Sequence, residues 1–175
     1  EIGMLVSKKT KVDIIVTPQY TDIPLLAQNT ERILVFAQHM DSLPVGRGLG
    51  SVLPEAVKAA GAVGVMLNHA EKPLTLEEIE KTIARADEVG LGTIVCADTV
   101  EDVKKIAKMG PNLIVAEPTD LIGTGQTSDS NYVIETIKTV NEINPDIMVL
   151  QGAGISNGQD VYNTIKLGAQ ATGTT

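Results

Sequence analysis

The stretch GAVGVMLNHAEKPLTLEEIEKTIARADEVGLGTIVCA, Gly61 to Ala97, decides the fold. Val63 to Leu67 is a short aliphatic run with no polar alternation, the mark of a strand covered on both faces. Thr75-Leu76-Glu77-Glu78 follows as a capping box. Behind it Leu76, Ile79, Ile83 and Ala86 recur at helical spacing, and Gly90 stops the helix. Thr93 to Cys96 then returns as a second strand of the first kind. Strand, helix, strand with both strands buried is a right-handed crossover unit, and it implies a parallel sheet.

The same unit recurs along the chain. Strand runs are expected at Val12–Val16, Ile33–Phe36, Val63–Leu67, Thr93–Cys96, Leu113–Ala116, Ile147–Leu150 and near Gln170–Thr172. Each starts roughly 20–34 residues after the last, which leaves room for a helix or turn segment between them. Ser51 reads as the cap of a short helix with Pro54 in its first turns. Thr99 and Asp102 open another, which stops near Gly110-Pro111. Tyr132 to Ile143 is a third, and Gln159 to about Leu167 a fourth. Ile2, Met4, Leu5 and Val6 give the opening segment a helical look.

Composition bounds what such a protein does. Apolar residues make up 43% and charged residues 21% of the 175, an ordered globular balance. With one Phe and no Trp, the core must be aliphatic. The net charge of -8 argues against a nucleic-acid surface and leaves room for a local anion site. No apolar run reaches membrane-spanning length, so no membrane partner is expected. The lone Cys96 excludes an internal disulfide and fits a reducing cytoplasm.

Alternating strands and helices fit two architectures, an open doubly wound sheet and a closed (β/α)8 barrel. Thr17-Pro18-Gln19-Tyr20 follows the first strand where a dinucleotide fold would carry its glycine fingerprint. A barrel typically takes about 250 residues. The sequence starts on Glu1 and ends on Thr174-Thr175. The expectation is therefore one incomplete barrel domain over residues 1–175, with about seven strands covered and strand 1 and the end of strand 8 with its helix outside it.

In either architecture the functional groups sit at the C-terminal ends of the strands. Those positions hold Gln19, Gln38-His39, Asn68-His69, Cys96, Glu117 and Gln151-Gly152-Ala153-Gly154. His69 suits a neutral imidazole that donates to a carbonyl; the alternative is a histidine tied within its loop. Glu117 suits a base that takes a proton from carbon, and an ion-pair partner at the sheet edge is the competing reading. Pro118 stiffens the chain after it. Ile122-Gly123-Thr124-Gly125 resembles a lid with backbone N–H groups for phosphate oxygens, and Gly152-Ala153-Gly154 is a second such cradle or a plain tight turn. His39, His69 and Glu117 show no metal-ligand spacing, so no metal is expected. Cys96, after an apolar run, reads as a buried core thiol.

Several segments together resemble triosephosphate isomerase of the short archaeal type. They are Thr17-Pro18-Gln19, Phe36-Ala37-Gln38-His39, Gly61-Ala62-Val63-Gly64, Leu67-Asn68-His69-Ala70-Glu71-Lys72, Ala116-Glu117-Pro118-Thr119-Asp120-Leu121-Ile122-Gly123-Thr124-Gly125 and Gly152-Ala153-Gly154-Ile155-Ser156. They occur in family order and cover nearly the whole chain. The resemblance implies a TIM barrel and a cofactor-free isomerase that interconverts dihydroxyacetone phosphate and glyceraldehyde 3-phosphate through an enediolate. It implies His69 as the electrophile, Glu117 as the base, and Glu71 as the acid just after the histidine. Gly123, Gly152, Ala153 and Gly154 would bind the substrate phosphate. It also implies a homodimer or homotetramer whose intersubunit loop is Pro44 to Ser51. Within that loop Leu49-Gly50 stands where the family has Thr-Gly, Ala70 stands where it usually has Ser, and Gln126 to Asn131 departs from the archaeal pattern. Lys8, Lys9 and Lys11 do not match the family's first-strand lysine, which is expected in a longer reading frame. A catalytically inactive or diverged phosphosugar-binding barrel is the second reading of these departures.

Overall fold

A computed structural model describes residues 2–173; Glu1, Thr174 and Thr175 lie outside the described residues. The chain forms two compact units, Glu1–Leu67 with Glu77–Thr93, and Asn68–Leu76 with Ile94–Thr175.

In the first unit the elements run α1 (Ile2–Lys9), β1 (Ile14–Val16), α2 (Ile23–Asn29), β2 (Ile33–Ala37), α3 (Pro54–Ala59), β3 (Gly64–Leu67) and α4 (Leu76–Val89) from Glu77 onward. β1 pairs parallel with β2, Ile14 opposite Ile33 and Val16 opposite Val35. β2 pairs parallel with β3, Phe36 opposite Gly64 and Ala37 opposite Val65. Glycine at 64 is a packing requirement, since a Cβ there would lie 2.1 Å from the Phe36 ring and 2.6 Å from the Gly92 carbonyl. The apolar stripe of α4 is buried at Ile79, Ile83 and Ala86 as its periodicity predicts, but Leu76, its expected first member, is exposed at the helix start. On that helix Arg85 bonds Glu55 at 2.7 Å and also pairs with Glu88. The hydrogen bond from Arg85 and then a backbone hydrogen bond hold the Glu55 carboxyl below its usual range, and the hydrogen bonds to Glu55 and Glu88 hold the guanidinium above its own.

Two sequence expectations shift here. β1 starts at Ile14, not Val12, because the Val12 N–H donates to Thr10 Oγ1 in the exit turn of α1. Ser51 does not cap α3; its N–H closes a turn onto Gly48 O. Pro54 starts α3 after Leu53 with no side-chain cap, and proline in the first turn sacrifices a donor that has no helical partner anyway.

In the second unit β4 (Gly92–Ala97), from Ile94 onward, is followed by α5 (Val100–Ala107), β5 (Leu113–Ala116), α6 (Ser130–Ile143), β6 (Met148–Gln151), α7 (Gly158–Lys166) and β7 (Ala171–Thr172). All neighbours are parallel and in chain order: Cys96 opposite Val115, Ala116 opposite Gln151, Gln151 opposite Thr172. β5 is buried along its whole length, the expected mark of a strand covered on both faces. Each helix here is opened by a side chain. Thr99 accepts from Asp102 N, Asp129 accepts from Asn131 N and Tyr132 N, and Asn157 with Asp160 forms a reciprocal capping box. In-order parallel pairing brings the C-terminal ends of β4, β5 and β6 side by side, and that edge carries the candidate site.

Candidate active site

Glu117 follows β5 directly, and its N–H donates to Ala97 O at 2.9 Å, continuing the ladder. The carboxylate is therefore anchored by sheet backbone, not by a free loop. Its Oε1 accepts from Ala153 N at 2.9 Å. Ala153 reaches that position with φ +57, a left-handed conformation uncommon for a residue with a Cβ. The preceding Gly152 leaves room for the carboxylate: a Cβ at 152 would lie 2.7 Å from Glu117 Oε1 and 3.2 Å from Glu117 Cβ. The structure thus brings together three of the sequence-predicted residues, Glu117, Gly152 and Ala153.

The His69 segment is held by its neighbour. Asn68 also has a left-handed backbone, φ +58. Its side chain spans the loop, donating from Nδ2 to Cys96 O at 2.9 Å and accepting at Oδ1 from Leu74 N at 2.9 Å. His69 Nδ1 accepts the Glu71 N–H at 3.3 Å. A neutral imidazole that accepts at Nδ1 carries its proton on Nε2, so Nε2–H is the available donor. The Glu71 carboxylate lies 3.6 Å from the same Nδ1 and is nearly fully exposed; with Nδ1 accepting the Glu71 N–H, this approach is not a hydrogen bond.

A cavity of about 160 Å³ lies at this edge. Asn68, Ala70 and Pro73 line it from the histidine segment, Cys96, Ala97 and Asp98 from the end of β4, and Glu117, Thr119 and Ile122 from the segment after β5. Ala70 offers no hydroxyl to this wall. The Cys96 thiol is pushed up to about 12 by burial and then by the Glu117 charge, so it stays protonated, as a buried core thiol should.

Asp98 and Tyr132 were not singled out from sequence. Asp98 Oδ1 accepts Thr119 N at 2.7 Å and so ties down the short 3₁₀ turn Thr119–Leu121 that opens the lid segment. Tyr132, in the first turn of α6, donates to Asp98 O at 2.8 Å. Burial, then the charges of Asp98, Asp102 and Glu117, push the phenol well above its usual value and keep it a donor. The sequence carries one signal for Asp98, an acidic residue directly after the buried strand β4.

The remaining predicted residues are placed as follows. Gly123 has φ +74, with nothing within 4 Å of where a Cβ would sit, so its glycine is required by backbone conformation and not by crowding. Gly154 packs against the segment that follows Gly125: a Cβ there would lie 1.9 Å from Gln126 O. His39, in the first unit, is buried and lies 3.3 Å from Asp41 through Nε2. Among the described residues no cluster of three or more His, Cys, Asp or Glu could hold a metal ion. No described helix is long and apolar enough to cross a membrane.

The model of the triosephosphate isomerase family matches residues 1–171. The chain is 41% identical over 169 residues to the triosephosphate isomerase of Methanobacterium bryantii, covering 95% of the chain and 74% of that protein. It is 39% identical over 173 residues to that of Methanocaldococcus jannaschii, covering 97% and 78%. It is 42% identical over 170 residues to that of Sulfurisphaera tokodaii, covering 96% and 74%.

Proposed function

The chain belongs to the triosephosphate isomerase family, and from that premise we infer that it interconverts dihydroxyacetone phosphate and glyceraldehyde 3-phosphate, with Glu117 as the base. The observation that carries the assignment is the Glu117 carboxylate. It is fixed to the end of a buried strand, lines a cavity also walled by Asn68 and Ala70 on either side of His69, though not by His69 itself, and touches the Ala153 backbone amide.

The chemistry follows from these groups. The substrate proton next to a carbonyl is weakly acidic, and a positioned carboxylate lowers the barrier to removing it by about 10²–10⁴-fold in rate. Glu117 leaves the Ala153 amide, takes the proton, and returns it to the neighbouring carbon. Charge develops on the carbonyl oxygen as the enediolate forms, and His69 Nε2–H is the donor that meets it. Backbone N–H groups of Gly123, Ala153 and Gly154 hold the phosphate dianion; the Gly152 N–H instead donates to Ala116 O at 3.2 Å, so Gly152 serves by the room its missing Cβ leaves. Glu71 steadies the histidine ring through its N–H. Residues 122–125 act as the lid that excludes water from the intermediate.

A closed (β/α)8 barrel is the proposed architecture, supported by parallel strands in chain order within each unit. Self-association into a homodimer or homotetramer through the Pro44 to Ser51 loop belongs to the same proposal, supported by exposed apolar Val45 and Leu49. A cytoplasmic location is part of it, supported by the single unpaired cysteine. Turnover of either triose phosphate, lost in Glu117→Gln and in His69→Gln variants that keep their fold, tests the assignment. Full activity in the Glu117→Gln variant would overturn it.

A further inference from the structure

A second cavity of about 120 Å³ shares Gly152 with the phosphate turn but is otherwise lined by residues that the isomerase reading does not use. Gln151 and Ser128 both line it. Gln151 is 1% exposed. Its Nε2 donates to Thr136 Oγ1 at 2.9 Å. The Thr136 hydroxyl hydrogen is engaged by the Tyr132 and Val133 carbonyls one turn back in α6, so Thr136 Oγ1 can only accept. That fixes the amide orientation and turns Gln151 Oε1 away from Thr136. Among the described residues Oε1 has no partner, and neither does the buried Ser128 Oγ.

A buried carbonyl oxygen and a buried hydroxyl with no partner are each costly, and native proteins satisfy such groups. The cavity has the volume of about two to four waters, and both orphan atoms belong to its wall. The two atoms come from places of different character. Gln151 ends β6 and precedes the phosphate turn. Ser128 lies just past the lid, two residues from Gln126, whose carbonyl already packs against Gly154.

We propose that this cavity is a water site, and that an ordered water donating to Gln151 Oε1 and bonded to Ser128 Oγ fastens the C-terminal end of the lid to β6. Gln151 is then a positioning residue for the lid. The identification of residues 122–125 as that lid rests on the isomerase assignment; the water site rests on the cavity alone.

The test uses the full chain with Gln151→Met, which keeps the side-chain length and removes both polar atoms, and Ser128→Ala, which removes one hydroxyl near the surface. Amide hydrogen exchange over residues 126–130 is read without substrate. Loss of one water-bridged contact accelerates it about fivefold in either variant. The double variant is no faster than Gln151→Met, because both act through one water. A crystal structure shows the water within hydrogen-bond distance of both atoms. KM for triose phosphate rises about fivefold while kcat stays within about twofold, as for lost uniform binding. Unchanged exchange, additive acceleration, or Ser128 Oγ bonded directly to Gln151 Oε1 overturns the proposal. Should Gln151→Met fail to fold, Ser128→Ala carries the exchange and crystallographic arms. Absence of turnover in the unaltered chain would count against the isomerase assignment alone, since exchange and crystallography need no substrate.

Discussion

Replacing Gly154 by alanine will push the Gln126–Thr127 backbone, which follows the proposed lid, off the Gly152–Gly154 turn. Gly154 has φ +68, and a Cβ built on it lies 1.9 Å from Gln126 O, 2.2 Å from Gln126 C and 2.8 Å from Thr127 N. All three are backbone atoms, so no side-chain rotation relieves the overlap. Ordinary contact begins at 3.4 Å, so the Gln126 carbonyl must retreat by about 1.5 Å. The left-handed backbone costs an alanine about 1–2 kcal/mol. Forcing a methyl into a packed contact costs about 1–3 kcal/mol more. The expected loss is roughly 2–5 kcal/mol, or about 4–20 °C in Tm for a chain of this length. Displacement of this backbone by over 1 Å further predicts a fall of about 10²-fold in kcat/KM. Thermal unfolding and steady-state turnover read the two effects separately. Gly158→Ala is the control. Its Cβ meets nothing within 4 Å at the start of α7, so it will be neutral or stabilise by up to about 1 kcal/mol. If Gly154→Ala matches the Gly158→Ala control in both Tm and kcat/KM, the packing of this segment on the turn is wrong.

Three further outcomes are expected. Asn68→Ala removes two hydrogen bonds and leaves alanine at φ +58, a loss of about 3 kcal/mol by denaturant titration; Asn68→Gly recovers about 1 kcal/mol of it. Cys96 will resist thiol reagents at pH 8 in the native chain and label only in denaturant. Because burial raises its folded value from 9.0 to about 12, the unfolded thiol ionises first, and stability declines as pH rises from 9 toward 12 unless Cys96 is replaced by Ala. Asp160 behaves in the opposite sense. Hydrogen bonds from Ser156 N–H and hydroxyl, then from Asn157, hold its carboxyl below 3.8, so its contribution is present above that pH and fades as pH falls through the lowered value. Asp160→Asn removes that acid limb, seen by circular dichroism of the unfolding midpoint against pH.

The strands were legible because burial on both faces leaves an unbroken aliphatic run, and Leu113–Ala116 matches its expected limits residue for residue. β1 lost its first two expected residues where Thr10 claimed the Val12 amide. The helix cap at Thr99 was legible from local spacing; the Ser51 cap failed because Pro54 fixes the start of α3 without a side-chain acceptor. At the site, Glu117 and His69 were visible as polar residues after buried strands. What positions them was not. Glu117 meets Ala153 across 36 residues of sequence, and Asn68 meets Cys96 across 28. Such contacts depend on register between parallel strands, which a single strand's pattern does not encode. The left-handed backbones of Asn68 and Ala153 were hidden for the same reason, since tertiary hydrogen bonds hold them there.

The central claim is that the Glu117 carboxylate moves a proton between adjacent carbons of a triose phosphate. Its most direct measurement is turnover in D₂O followed by proton NMR, with the unaltered chain beside Glu117→Gln. The account predicts deuterium from solvent on the reacting carbon with the unaltered chain, and loss of at least about 10²-fold in both exchange and isomerisation in the variant. Exchange and isomerisation at the unaltered rate in Glu117→Gln would contradict it.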